Sequence, residues 1–182
     1  MRKRRILKQT FRMTGYFLCA VFAALFIVSF IGVRVKVEGH SMENTLWDQD
    51  QLMIDKISYQ FGLPKRFDIV VFLHMDGSEK QYYIKRIIGL PGEKVYIDRN
   101  GSIYINDELL EENYGKETIR DPGTAAVPMI LGEEEYFVLG DNRNHSSDSR
   151  DPKVGTVKES EIVGKAFCRI YPFSKIGTLY EN

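Results

Sequence analysis

Ser41 sits in the run Gly39-His40-Ser41-Met42-Glu43-Asn44-Thr45-Leu46. A serine hydroxyl is a weak nucleophile until a base takes its proton. Beside a glycine it also reads as a turn residue, so its chemistry depends on the base the chain supplies. Lys85 is a candidate, within Tyr82-Tyr83-Ile84-Lys85-Arg86-Ile87-Ile88-Gly89-Leu90-Pro91-Gly92. Side chains alternate across a strand, which puts Lys85 with Tyr83 and Ile87, and Arg86 with Ile84 and Ile88. One cation on each face of so apolar a strand is unusual, because lysine is almost never fully buried. Either Lys85 extends its ammonium to solvent from a half-exposed strand, or it is desolvated and acts as a general base. The second role requires lowering its pKa from about 10.4 towards 7–8, roughly 4 kcal/mol of disfavoured charge, which desolvation can supply. Arg86 cannot take that role, since a guanidinium does not deprotonate. A third run, Gly140-Asp141-Asn142-Arg143-Asn144-His145-Ser146-Ser147-Asp148-Ser149-Arg150, is dense in hydrogen-bonding groups. It reads as a polar surface loop or as the source of contacts that orient a base.

Two histidines offer a rival base. His40 adjoins Ser41, so in extended backbone the two side chains point to opposite faces. His145 is available in principle, but a Ser-His-Asp arrangement would leave Lys85 without a role. No set of His and Cys has metal-ligand spacing.

These groups must be held in place, and the N-terminal segment limits where. The chain of 182 residues is long enough for one ordinary domain plus an appendage. From Met13 to Val33 there is no charged side chain, and about 20 apolar residues cross a ~30 Å hydrocarbon core as a helix. Residues 1–12 carry Arg2, Lys3, Arg4, Arg5, Lys8, Arg12 and no acid. Residues 13–182 therefore hold 19 of the 25 basic side chains and all 25 acidic ones. The positive-inside rule keeps the basic tail cytoplasmic and exports residues 34–182. Arg34 and Lys36 weaken that bias without reversing it. A cleaved signal peptide would have a shorter apolar run and a small-x-small site; this run ends instead in Val33-Arg34-Val35-Lys36-Val37. The expectation is a single uncleaved transmembrane helix over 13–33. Ser41 lies eight residues beyond Val33, so an extended chain keeps it within about 29 Å of the bilayer. Cys19 falls in the apolar run and Cys168 in the exported part, so no intramolecular disulfide is expected.

Beyond residue 34 the pattern is β. Gln51–Ser58, Asp68–His74, Gln81–Gly89, Lys94–Asp98, Ser102–Ile105, Glu135–Leu139 and Ile162–Tyr171 are short runs rich in Val, Ile, Tyr and Phe. Asn100-Gly101 signals a hairpin, Pro91-Gly92 a type II turn, and Asn106-Asp107 a second turn. In residues 108–133, Glu111, Glu112, Gly115, Pro122, Gly123 and Pro128 break any periodicity. That stretch reads as an exposed loop or insertion, so that about 92–133 forms a hairpin plus loop. The predicted fold is mainly antiparallel β behind one N-terminal transmembrane helix.

Taken together, the three chemistry-bearing runs resemble the nucleophile, lysine and third boxes of the type I signal peptidases. Arg66-Phe67-Asp68-Ile69-Val70-Val71-Phe72 resembles a further strand box between the first two. The resemblance implies a membrane-anchored serine endopeptidase that removes signal peptides after small-x-small sites. It implies Ser41 as nucleophile, Lys85 as general base, and Ser146 as the serine that hydrogen-bonds the lysine amine. It implies an Asp148–Arg150 ion pair with Asp141 in the same network, and the Ser41 backbone N–H as an oxyanion donor. Some members place a second oxyanion donor two residues before the nucleophile, where this chain has Gly39. The substrate would add as a β-strand, with Met42 and Ile84 as pocket walls. Partners would be secretory preproteins emerging from the translocon and the lipid bilayer, with no cofactor, metal or nucleic acid. Two departures stand out. Asn44 replaces the usual proline, which should loosen the turn after the nucleophile. Asp151–Gly155 differs from the usual Arg-x-aromatic-Gly, which should alter a loop near the third box.

Two alternatives accompany this reading. Self-cleaving SOS-type repressors share a Ser-Lys dyad on a similar scaffold, but need an N-terminal DNA-binding domain where this chain has its apolar run. A membrane-tethered β-domain paralogue could keep the fold as a binding module and lack catalysis.

Overall fold

The computed structural model describes residues 9, 11–22 and 32–179. Residues 11–22 are helical, and among the described residues no helix is long and apolar enough to cross a membrane. The expected span over 13–33 lies outside the described residues from 23 to 31. Its last two positions, Gly32 and Val33, already belong to a strand. Most of the basic tail also lies outside the described residues.

The larger sheet has the order β1-β2-β11-β3-β4-β9-β10, and β12 (Gly177–Thr178) pairs with β11. Its other strands are β1 (Gly32–Lys36), β2 (Gln51–Asp55), β3 (Ile69–Asp76), β4 (Glu79–Gly89), β9 (Glu135–Leu139), β10 (Val157–Lys158) and β11 (Ile162–Tyr171). The smaller sheet has the order β7-β6-β5-β8, from β5 (Lys94–Ile97), β6 (Ile103–Ile105), β7 (Glu108–Leu109) and β8 (Met129–Ile130). Every pairing is antiparallel. The end of the run read as strand over Gln51–Ser58 becomes a one-turn helix, Ser58–Phe61. Asp55 stops the strand by accepting from the N–H groups of Ile57 and Ser58.

β3 is apolar on both faces because the sheet is buried on both sides there. Ile69 and Val71 join the core formed by Met42, Leu46, Leu52 and Ile54. Val70 and Phe72 join Ile87, Tyr136 and Val138 on the other face. A third cluster, including Ile88, Val95, Ile97, Ile103 and Phe137, packs the smaller sheet against the ends of β4 and β9. Both strands that carry or support the candidate base are thus fixed by packing.

Three turns set the hairpin geometry. Gly92 has φ +76 and Glu93 N–H donates to Leu90 O, as a Pro-Gly type II turn requires. The Asn100-Gly101 hairpin forms, but as a longer loop in which only Gly101 takes positive φ. Asp98 organises it, accepting from the N–H groups of Asn100 and Ser102. The two-residue link with positive φ at both positions is Asn106-Asp107, between β6 and β7.

Most of 108–133 is exposed or half-buried, but three of its apolar side chains are not. Ile119, Ala125 and Leu131 are buried to 4%, 0% and 2% exposure in the cluster between the sheets. The stretch also contributes β7 and β8. Its apolar residues pack singly from irregular backbone, so no periodicity marks them in the sequence.

Candidate active site

Ser41 lies in the turn that follows β1, and Lys85 lies in the middle of β4. Packing of Met42 and Leu46 into the core under β2 and β3 pins that turn from below. Lys85 Nζ stands 2.8 Å from Ser41 Oγ and donates to Ile84 O at 3.0 Å. Tyr83 places its ring 5.2 Å from the same nitrogen, on the face expected from strand alternation. Lys85 is only 4% exposed. Burial pushes its pKa down to about 8, against the opposing pull of the Asp148 and Asp141 carboxylates. The ammonium extended to solvent is therefore not what the fold provides.

The sign of the pH dependence follows. The neutral amine that can accept the serine proton is the minor form below about pH 8 and the major form above it. For the free enzyme, kcat/KM is expected to rise about tenfold per pH unit below that value and to level off above it. A profile measured from pH 6 to 10 on the full-length protein checks this; a flat curve would exclude Lys85 as the titrating base.

A groove of about 770 Å³ opens over the pair. Val35–Met42 line one wall, Gln81–Lys85 the other, and His145 and Ser147 reach it from the third loop. β1 and β4 are not neighbours in the sheet, so an extended segment can lie between these walls. Met42 and Ile84 both line the groove. The Ser41 N–H has no hydrogen-bond partner among the described residues. The Gly39 N–H donates to Asp48 Oδ1 at 2.9 Å and is thereby committed. Gly39 also takes φ +89, a conformation that a side chain would strain.

The third loop closes on the nucleophile turn through its backbone. Asn142 N–H donates to Ser41 O and Asn142 Nδ2 to His40 O, each at 3.0 Å. Gly140 makes this approach possible: a Cβ there would stand 2.2 Å from Ser146 Oγ and 2.4 Å from Ser41 O. Asp148 and Arg150 form the expected pair, with Nε to Oδ1 at 2.8 Å and Nη2 to Oδ2 at 2.9 Å. Asp148 also accepts from Gly140 N–H.

Two expectations are corrected. Ser146 Oγ is buried beside Gly140 and Ser41, but it makes no hydrogen bond among the described residues. The second acceptor for Lys85 Nζ is the Ile84 carbonyl. Asp141 belongs to a separate network, centred on Arg86. Arg86 Nε and Nη2 reach its two carboxylate oxygens at 2.9 and 2.7 Å, with both side chains almost fully buried. Thr45 Oγ1 donates to the same carboxylate, and Arg86 Nη1 donates to Phe67 O. Strand alternation had placed Arg86 with Ile84 and Ile88. An arginine on a buried face demands a buried carboxylate, and that demand was the available signal for this pair.

The remaining candidates fall into place by geometry. His40 Nδ1 pairs with Glu43 Oε1 at 2.7 Å on the exposed side of the turn. His145 is exposed at the groove. The hydrogen-bond partner of Ser41 Oγ is Lys85. Asn44 takes φ +101, which proline cannot adopt, and its Nδ2 donates to Tyr114 O at 3.1 Å. The turn is tied rather than loosened. Asp151–Gly155 closes on itself, with the N–H groups of Val154 and Gly155 both donating to Asp151 O. Arg143 was not singled out from the sequence; it is buried and pairs with Glu112 at 2.7 Å.

Comparison with known proteins identifies the family. Residues 10–171 match the family described as signal peptidase, peptidase S26. The chain is 38% identical over 167 residues to a probable signal peptidase I-2 of Synechocystis, covering 90% of this chain and 74% of that protein. It is 36% identical over 165 residues to a signal peptidase I of Bacillus licheniformis, covering 86% of each. A crystallised signal peptidase I from Enterococcus faecalis aligns at 35% identity over 57% of this chain and 97% of that structure, with a TM-score of 0.44. A serine and a desolvated lysine within hydrogen-bond distance, beside a groove open to an extended segment, accord with the sequence match. The chain belongs to the signal peptidase family, peptidase S26.

Proposed function

We propose that the chain cleaves N-terminal signal peptides from secretory preproteins after small-x-small sites, with Ser41 as nucleophile and Lys85 as general base. The observation that supports this most is the 2.8 Å contact between Ser41 Oγ and a lysine amine whose pKa is lowered by burial. Ser41 Oγ attacks the scissile carbonyl while Lys85 Nζ takes its proton. The same amine then protonates the departing nitrogen, leaving an acyl group on Ser41. A water attacks the acyl carbon, giving its proton to Lys85, which passes it to Ser41 Oγ as the acyl–oxygen bond breaks. The unpartnered Ser41 N–H faces the charge that develops on the carbonyl oxygen.

The preprotein would enter as an extended segment between Val35–Met42 and Gln81–Lys85, its small side chains meeting Met42 and Ile84. The apolar run ahead of β1, residues 13–31, would span the bilayer with residues 1–12 in the cytoplasm. The catalytic domain would then meet preproteins as they leave the translocon, at the outer membrane–water boundary.

The test uses full-length protein in lipid with a purified secretory preprotein. The expected product begins one residue after a small-x-small site, as read by N-terminal sequencing. Failure of the folded protein to process any of several preproteins would instead support the non-catalytic binding module.

A further inference from the structure

The segment from Glu112 to Thr124 is a strap across the loops that carry the site. Lys116 N–H donates to Asp141 O at 2.8 Å, and Lys116 Nζ pairs with Glu43 at 2.8 Å. Asn144 exchanges hydrogen bonds with Thr118 O and Arg120 N–H. Thr124 N–H donates to Arg150 O. The strap therefore touches both the nucleophile turn and the loop 140–150.

Tyr114 is the point where the strap meets the buried charge. The edges of the Arg86 guanidinium are occupied by Asp141, Thr45 and Phe67 O. One flat face is covered by the Tyr114 ring, with Cζ 3.7 Å from the ring centroid. Phe67 packs against that ring at 5.1 Å, and the Tyr114 carbonyl accepts from Asn44 in the nucleophile turn. A cavity of about 360 Å³ lies alongside, lined in part by Asn44, Arg86, Tyr114 and Arg169. Without the ring, the guanidinium face opens to water in that cavity.

We propose that Tyr114 is a positioning residue for the dyad: by covering Arg86 it keeps the Arg86–Asp141 pair dry and so holds the nucleophile turn and loop 140–150 against Lys85. The inference rests on the Ser41–Lys85 reading of the site. Its electrostatic consequence has a defined direction. Asp141 and Asp148 both favour the protonated form of Lys85. Tyr83 lies against the amine, and Lys36, Glu38, His40 and His145 line the groove above it. Hydration of Arg86 screens its positive charge and leaves the Asp141 carboxylate less compensated. Lys85 then holds its proton to higher pH.

The experiment compares full-length wild type, Tyr114→Ala and Tyr114→Phe, measuring kcat/KM on a preprotein from pH 6 to 10 together with Tm. Tyr114→Ala is expected to move the midpoint up by about one unit, cutting activity about tenfold at pH 7 and little at pH 10. Tyr114→Phe is expected to keep the wild-type profile, because it retains the ring that covers Arg86 and packs against Phe67. If Tyr114→Ala does not fold, Tyr114→Val is read the same way, since its side chain is too short to cover the guanidinium face. A wild-type midpoint in the folded variant, or an equal loss at every pH, overturns the proposal. Should Lys85→Ala stay active, the dyad reading has failed instead.

Discussion

Replacing Ser41 by Ala or Lys85 by Met is expected to lower kcat/KM on a preprotein by about 10³-fold or more. The two act on one proton transfer, so the double variant should be no worse than either single one. Lys85→Met carries a second, opposite expectation. The native lysine titrates near 8, whereas the unfolded one titrates near 10.5. Between those values the unfolded chain binds a proton that the native state has lost, so native stability rises with pH across that window. Below about pH 8 the fold carries a buried ammonium, at a penalty of about 3 kcal/mol. Met fills similar space without that charge, so at pH 7 the inactive variant should be more stable by about 1–3 kcal/mol. Denaturant unfolding at pH 7 and pH 10 checks this. The gain should shrink at the higher pH, and a destabilised Lys85→Met at pH 7 would contradict the account of a desolvated base. A residue that is unfavourable for folding and indispensable for activity is what a functional site predicts.

Asp141→Ala should be the most damaging single change to the fold outside the apolar core. It leaves the Arg86 guanidinium, at 1% exposure, without its carboxylate. Removing one partner of a buried pair costs about 3–5 kcal/mol, which lowers Tm by roughly 10 °C in a domain of this size. Thr45 and the nucleophile turn lose an anchor at the same time, so activity should fall with stability. Combining Asp141→Ala with Arg86→Met should recover much of the stability, because the orphaned charge goes too. A double-mutant cycle by thermal unfolding reads this directly, and additive losses would show that the pair is not coupled.

Lys85 was legible as a candidate because it broke a local rule, whereas Ser41 reads locally as a turn residue and was singled out by the resemblance of its run. A lysine among Tyr and Ile on a strand contradicts the binary pattern, and such contradictions mark sites. The strands Glu135–Leu139 and Ile162–Tyr171 were legible to the residue, because short runs enriched in β-branched and aromatic side chains favour the extended conformation. β1, β7, β8, β10 and β12 were not. β1 was hidden by the apolar run that it terminates, and the other four have two residues each, too few for any period. The buried side chains within 108–133 were not legible for a related reason. Their burial comes from single side chains such as Ile119 and Leu131, set into a core built by distant strands.

The partners of the charged groups divide in the same way. Asp148 and Arg150 are two positions apart, and so short a separation makes their pairing a local matter. Asp141 and Arg86 are 55 positions apart, and nothing near either residue names the other. The position of Ser146 was readable, but not the direction of its hydroxyl. The chain's own chemistry thus narrowed which groups could react and indicated a β scaffold, but left open whether Lys85 reaches solvent or is desolvated. What folding added were the distances: Ser41 to Lys85, Arg86 to Asp141, and Tyr114 over Arg86. Those depend on the register of β3 with β4 and on the packing of the two sheets, which are properties of the whole chain and not of any one segment.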